Sequence, residues 1–143
     1  MNVEHYISVG FKLTGFLIKS ESVKKKYKVE MRWKETFDPH NKMGVYILAD
    51  NLNNILKIGE TQNMAHRFSC YESHSGPTNK MIRENMEMND AITILFLECP
   101  SYNVGFGGVE VPSGINYRIL EKKLLKQYQA EMQTLPAWNK GIQ

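Results

Sequence analysis

Between Gly44 and Gly59 the sequence reads GVYILADNLNNILKIG, two short apolar runs on either side of a stretch rich in Asp and Asn. VYIL and ILKIG have the length and composition of strands. ADNLNN is turn chemistry, because Asn and Asp tolerate the tight backbone angles that a chain reversal needs. The segment therefore reads as a β-hairpin. If Tyr46 pairs with Lys57, then Leu48 pairs with Ile55 and Ala49 to Asn54 form the turn. In that register Tyr46 and Lys57 are cross-strand neighbours on one face, while Val45, Ile47, Leu56 and Ile58 point the other way into a core. A phenol beside an ammonium is chemically suggestive, since a nearby cation favours the phenolate. An amphipathic hairpin with ordinary surface Tyr and Lys is the plainer reading of the same spacing.

The remaining elements are placed around this hairpin. FKLTGFLI (Phe11 to Ile18) and AITILFLE (Ala91 to Glu98) read as strands. A short helix is expected through NMAHRFSCY with Thr61 or Asn63 as its N-cap, and PTNKMIRENMEM begins another with Pro77 in its first turn. The segment from Ser113 to about Met132 carries the strongest helical pattern. A glycine-rich loop, SYNVGFGGVEVPSG, precedes it and lacks the GK[ST] of a phosphate-cradling loop. The order of elements implies an α+β fold, a small antiparallel sheet flanked by helices.

With 143 residues, 42% of them hydrophobic, the chain can bury one core, and a single domain is expected. The N-terminus lacks a signal-peptide pattern, and no run approaches the roughly 18 apolar residues of a membrane span. A soluble cytoplasmic protein with no membrane partner is the expectation. Cys70 and Cys99 are far apart and form no CxxC pair, and the four histidines show no ligand spacing, so neither a disulfide framework nor a histidine metal site is indicated.

Charge is unevenly placed. Residues 1–42 hold nine Lys/Arg against five Asp/Glu, and the rest of the chain holds nine against ten. The surplus centres on Lys24, Lys25, Lys26 and Lys28, with Tyr27 and Trp33 interleaved. Such an arm can follow a phosphate backbone, cations neutralising phosphates while aromatic faces stack on bases. A solvated surface run with one aromatic in the core would look the same. Residues 1–42 are thus read as a basic extension packed on a domain of residues 43–143.

The long helix holds one anomaly. At 100° per residue, Tyr117, Leu120, Leu124, Leu125, Tyr128 and Met132 share an arc of about 140°, and Glu121 falls inside it. A carboxylate on an apolar face is costly unless it meets a metal ion, an arginine or a polar network. A structural salt bridge, for instance to Arg118, would also satisfy it.

Taken in order, GVY (Gly44 to Tyr46), KIG (Lys57 to Gly59), Arg67, Glu121 in RILEKKLL and Asn139 in PAWN resemble the GIY-YIG nuclease family, over about two thirds of the chain. Within it the chain is most similar to the small GIY-YIG type II restriction endonucleases, some of which have lysine in place of the second tyrosine. The stretches TNKMIRENMEMNDAITILF and RILEKKLL add to the likeness. The resemblance implies a sheet of about three strands and hydrolysis of double-stranded DNA with one divalent ion, Mg²⁺ or Mn²⁺. It implies Tyr46 as general base with Lys57 lowering its pKa, Arg67 on the phosphate charge, Glu121 as metal ligand and Asn139 as support. Tyr71, one turn after Arg67, and His74 are candidate auxiliaries, a histidine near the base being usual in the family. Cutting both strands at a symmetric sequence would need a homodimer. A phage or mobile-element nuclease of looser specificity and a non-catalytic DNA-binding module are the competing readings.

Overall fold

Gly44–Ala49, the first strand of the hairpin, is buried along its whole length, so both of its faces are covered. The computed structural model describes residues 1–20, 29–73, 76–86, 88, 90–99 and 114–142. Within these the chain runs α1 (Val3–Ser8), β1 (Lys12–Lys19), β2 (Val29–Trp33), β3 (Gly44–Ala49), β4 (Ile55–Thr61), α2 (Met64–Ser73), α3 (Pro77–Met86), β5 (Ala91–Glu98) and α4 (Gly114–Met132). The α+β class is as expected, but the sheet has five strands, not three, in the order β2-β1-β5-β3-β4, with every pairing antiparallel. Among the described residues no helix is long and apolar enough to cross a membrane.

The two strands beyond three come from the first 42 residues. β2 was hidden in the sequence because its charges suggested a solvated arm. Its inward residues Val29, Met31 and Trp33 nevertheless alternate with Glu30 and Arg32 and pack on one core cluster. Trp33 is consequently not a free stacking face. It lies edge-on to Phe37 and Phe68, each 5.3 Å away between ring centroids. The lysines at 24–28 and the glycine-rich loop lie outside the described residues.

Helices cover both faces of the sheet. On one side α1 and α4 pack through Tyr6, Tyr117, Leu124, Leu125 and Tyr128 onto Val45, Ile47 and Ile58. On the other side α2 and α3 pack through Met64, Phe68, Ile82 and Met86 onto Tyr46, Leu48, Ile92 and Ile94. Each layer follows from period two along the strands set against period 3.6 along the helices.

The hairpin register differs from the expected one by two residues. Tyr46 faces Gly59 and Leu48 faces Lys57, while Ala49 pairs with Ile55, leaving Leu56 as a bulge. Tyr46 and Lys57 therefore share a face as diagonal neighbours, and Leu56 joins the Tyr46 side of the core instead of the opposite one. The turn is correspondingly short. Asp50 Oδ1 accepts from Leu52 N and Asn54 N, both at 2.9 Å, and Asn53 takes a positive φ of 66°. The register of a hairpin follows its turn, and this side-chain cap was not counted in the sequence pattern.

β4 lies at one end of the sheet, where its outward backbone groups would lack partners. The C-terminal segment supplies them. Asn139 Oδ1 accepts from Ile58 N at 2.9 Å, Asn139 Nδ2 donates to Ile58 O at 2.8 Å, and Trp138 N donates to Leu56 O at 2.8 Å. A side-chain amide thus imitates one residue of a neighbouring strand. Asn139→Ala removes two hydrogen bonds worth about 1 kcal/mol each, so urea denaturation should show a loss of about 2 kcal/mol. An unchanged midpoint would mean that the amide does not close the edge.

Candidate active site

Gly59 is the local reason for the site. A Cβ there would collide with the Tyr46 ring, so only glycine lets the ring lie across β4. Gly44 is held by a similar close approach, to the Leu97 carbonyl. Tyr46 is 2% exposed, and its hydroxyl shares a 2.6 Å hydrogen bond with that of Tyr71. Phe68 packs edge-on against both rings. Tyr71 is itself fixed by α3, where Asn79 Nδ2 donates to the carbonyls of Cys70 and Tyr71 at 3.0 and 2.9 Å.

α2 brings in Arg67. Its start is set by Asn63, whose Oδ1 accepts from His66 N at 3.2 Å, and by Thr61, whose Oγ1 accepts from Asn63 N at 3.1 Å. Both of the anticipated cap residues therefore contribute. Arg67 itself is exposed. Lys57 reaches α3 from β4 and donates to Thr78 Oγ1 at 3.1 Å. Glu121 stands half-buried on α4 between the buried Tyr117 and Leu124. Among the described residues it makes no salt bridge, and Arg118 instead extends over the Tyr117 ring, 5.9 Å from its centroid.

Tyr46, Lys57, Arg67, Glu121 and Asn139 line one cleft of about 270 Å³, together with Glu60. The cleft lies at the β4 edge, where side chains from both faces of the sheet meet. His74 falls outside the described residues. Glu60 and Thr78 were not singled out in the sequence. Period two assigns Glu60 to the face opposite Lys57, so only the edge position of β4, invisible locally, reveals that both reach one space. A larger cleft of about 500 Å³, lined by Lys12, Phe37, Lys42, Phe96 and Glu98, contains none of these groups. There Lys42 pairs with Glu98 at 3.8 Å.

Electrostatics follow from burial first. Burial raises the Tyr46 pKa well above 10, Tyr71 raises it further, and Arg67 is the cation that opposes the shift. The expectation that Lys57 leaves this phenol with a lowered pKa is thus reversed in the free protein. Tyr71 is also raised, by burial, against the pull of its bond with Tyr46 and of Arg67. Lys57 is lowered by burial and by Arg67, with Glu121 opposing. Glu121 is raised by burial and by Glu60, with Lys57, Lys122 and Arg67 opposing.

Among the described residues, no three His, Cys, Asp or Glu side chains form a complete metal cage. Two adjacent carboxylates do suit a hard ion. Mg²⁺ commonly binds one or two carboxylates and completes its shell with water and phosphate oxygens. Glu121 and Glu60, which line the same cleft, offer that donor set.

Sequence comparison finds no protein-family model and no curated protein that matches the chain. Two solved structures share its fold. Restriction endonuclease HPY188I, in complex with product DNA, aligns with a TM-score of 0.55 and 17% identity over 99% of this chain and 87% of its own. A mutant of bacteriophage T4 EndoII aligns with a TM-score of 0.63 and 16% identity over 95% of this chain and 96% of its own.

The Glu60–Glu121 proximity has a measurable consequence. Glu60→Gln removes a charge that raises the Glu121 pKa, so the Glu121 carboxyl signal in an NMR titration should move to lower pH. A raised carboxyl pKa weakens the fold as pH rises from the ordinary value through the raised one, so Glu60→Gln should also raise Tm near pH 7 and change it little near pH 3. An unmoved Glu121 midpoint would show that the two carboxylates do not interact.

Proposed function

We propose that the protein is a DNA endonuclease of GIY-YIG type that hydrolyses phosphodiester bonds in double-stranded DNA with Mg²⁺ or Mn²⁺, most like a type II restriction enzyme. The observation that carries this reading is the meeting of Tyr46 from β3, Arg67 from α2 and Glu121 from α4 in one cleft. A phenol, a guanidinium and a carboxylate on three separate elements have no shared structural task there. The folds of HPY188I and T4 EndoII support the same reading.

In this mechanism Tyr46 first loses its hydroxyl proton to solvent, against the pull of burial. As phenolate it takes the proton of the attacking water, whose oxygen bonds to phosphorus as the bond to the 3′ oxygen breaks and that oxygen picks up a proton from solvent. The products are 5′-phosphate and 3′-hydroxyl ends. Arg67 meets the charge that develops on the phosphate, and Lys57, held by Thr78, adds a second cation to the same wall. Glu121, with Glu60 beside it, would hold the divalent ion, which when bound supplies Lewis acidity toward the phosphate and its leaving oxygen. Tyr71 orients the Tyr46 hydroxyl. Asn139 positions β4 through Ile58 and does not act on the substrate. A homodimer with two-fold symmetry would cut both strands, and Lys24, Lys25, Lys26 and Lys28 would follow the backbone.

Digestion of supercoiled plasmid with Mg²⁺ and with EDTA tests the activity directly. Glu121→Gln should abolish Mg²⁺-dependent cleavage while leaving DNA binding within a few-fold, and Tyr46→Phe should reduce cleavage by about 10²- to 10⁴-fold. Cleavage at the normal rate in either variant would remove that residue from the mechanism. Sequencing the cut ends distinguishes a restriction enzyme, with discrete ends, from a phage or mobile-element nuclease with scattered ones.

The arm makes a separate prediction. Changing Lys24, Lys25, Lys26 and Lys28 to Gln should weaken binding to all sequences alike and flatten the salt dependence by about one unit of slope per lost contact. An unaltered slope would mean that these lysines are simply solvated.

A further inference from the structure

Glu60 and Arg67 also line a second cleft, of about 490 Å³, whose other walls include Gln62, His66, Tyr117 and Arg118. Tyr117 is fully buried, yet its hydroxyl has no hydrogen-bond partner among the described residues. A buried, unsatisfied hydroxyl costs the free protein about 1–3 kcal/mol, so phenylalanine would be the better residue if only packing mattered. Arg118 is exposed and spans the Tyr117 ring. Among the described residues neither Arg67 nor Arg118 is in a salt bridge.

The start of α2 is not what would attract an anion here. Met64 N donates to Lys42 O, Ala65 N to Pro39 O, His66 N to Asn63 Oδ1 and Arg67 N to Asn63 O. With those amides already bonded, a ligand in this cleft must be held by side chains. Two guanidiniums with no salt bridge among the described residues suit a phosphate, which accepts from them in a fork geometry.

We propose that this cleft binds the backbone phosphate adjacent to the scissile one, on Arg118 and Arg67, with the Tyr117 hydroxyl donating to the same phosphodiester. The inference builds on the endonuclease reading, because Arg67 then spans two consecutive phosphates of one strand. Tyr117 and Arg118 line the same wall of this cleft, so a phosphate held there by Arg118 gives the Tyr117 hydroxyl, which has no partner among the described residues, an acceptor in the complex. Arg118 and Tyr117 are positioning residues in this scheme, since they touch DNA but not the reacting atoms.

The test is DNA binding in EDTA, where no cutting occurs, measured by fluorescence anisotropy on a duplex that wild type cuts in Mg²⁺. Arg118→Gln should weaken Kd by about 10-fold and lower the salt slope by about one unit. Tyr117→Phe should raise Tm while weakening Kd by about 5-fold, a pairing that a purely structural tyrosine would not produce. A duplex with a neutral methylphosphonate beside the cut position should weaken wild-type binding similarly and cost Arg118→Gln nothing further. Wild-type affinity in both variants, or penalties that simply add, would overturn the subsite while leaving the endonuclease reading intact. A wild-type protein that neither binds nor cuts DNA would overturn both.

Discussion

One contact organises the candidate site: the Tyr46 ring lying across Gly59. Because residue 59 has no side chain, a tyrosine rooted in the second strand from the edge extends its phenol to the edge itself. Everything else in the cleft is arranged around that reach. α2 supplies Tyr71 to hold the hydroxyl and Arg67 to face it, α3 supplies Thr78 to hold Lys57, and α4 brings Glu121 from the opposite face. The edge of a sheet is where residues from its two faces can meet without crossing the hydrogen-bonded layer, and that makes the location a physical necessity for this set of side chains.

The electrostatics carry a cost that the fold alone does not explain. Tyr46 is driven toward its neutral form by burial, and Glu121 is driven the same way by burial and by Glu60. Both groups are less comfortable ionised in the free protein than in water. Sites whose charges are under-compensated in isolation gain when a cation or a cationic partner arrives, and natural proteins accept such local destabilisation where function needs it. The buried Tyr117 hydroxyl, which has no hydrogen-bond partner among the described residues, belongs to the same pattern.

Much of this was legible in the sequence. The hairpin, both helices after it, β5 and α4 were readable because each combines a clear period with a turn or cap signal, such as Asn63 before α2 or Pro77 at the start of α3. Glu121 stood out since it broke the apolar arc of α4. What escaped depended on long-range partners. VEMRW looks like charge until a sheet covers Val29, Met31 and Trp33, and the hairpin register slipped because the Asp50 cap shortened the turn. Glu60 and Thr78 became visible only once β4 was known to be an edge strand with helices on both sides.

The amide that closes β4 also limits how two copies of the chain could meet. With both backbone groups of Ile58 engaged by Asn139 and the Leu56 carbonyl by Trp138, the middle of that rim is closed to a second chain that would extend the ladder. The opposite rim belongs to β2, where Glu30 and Arg32 pair with each other at 3.2 Å. Charged side chains along a border strand discourage sheet-to-sheet fusion. A two-fold assembly would therefore join more readily through helices or loops than by extending the sheet.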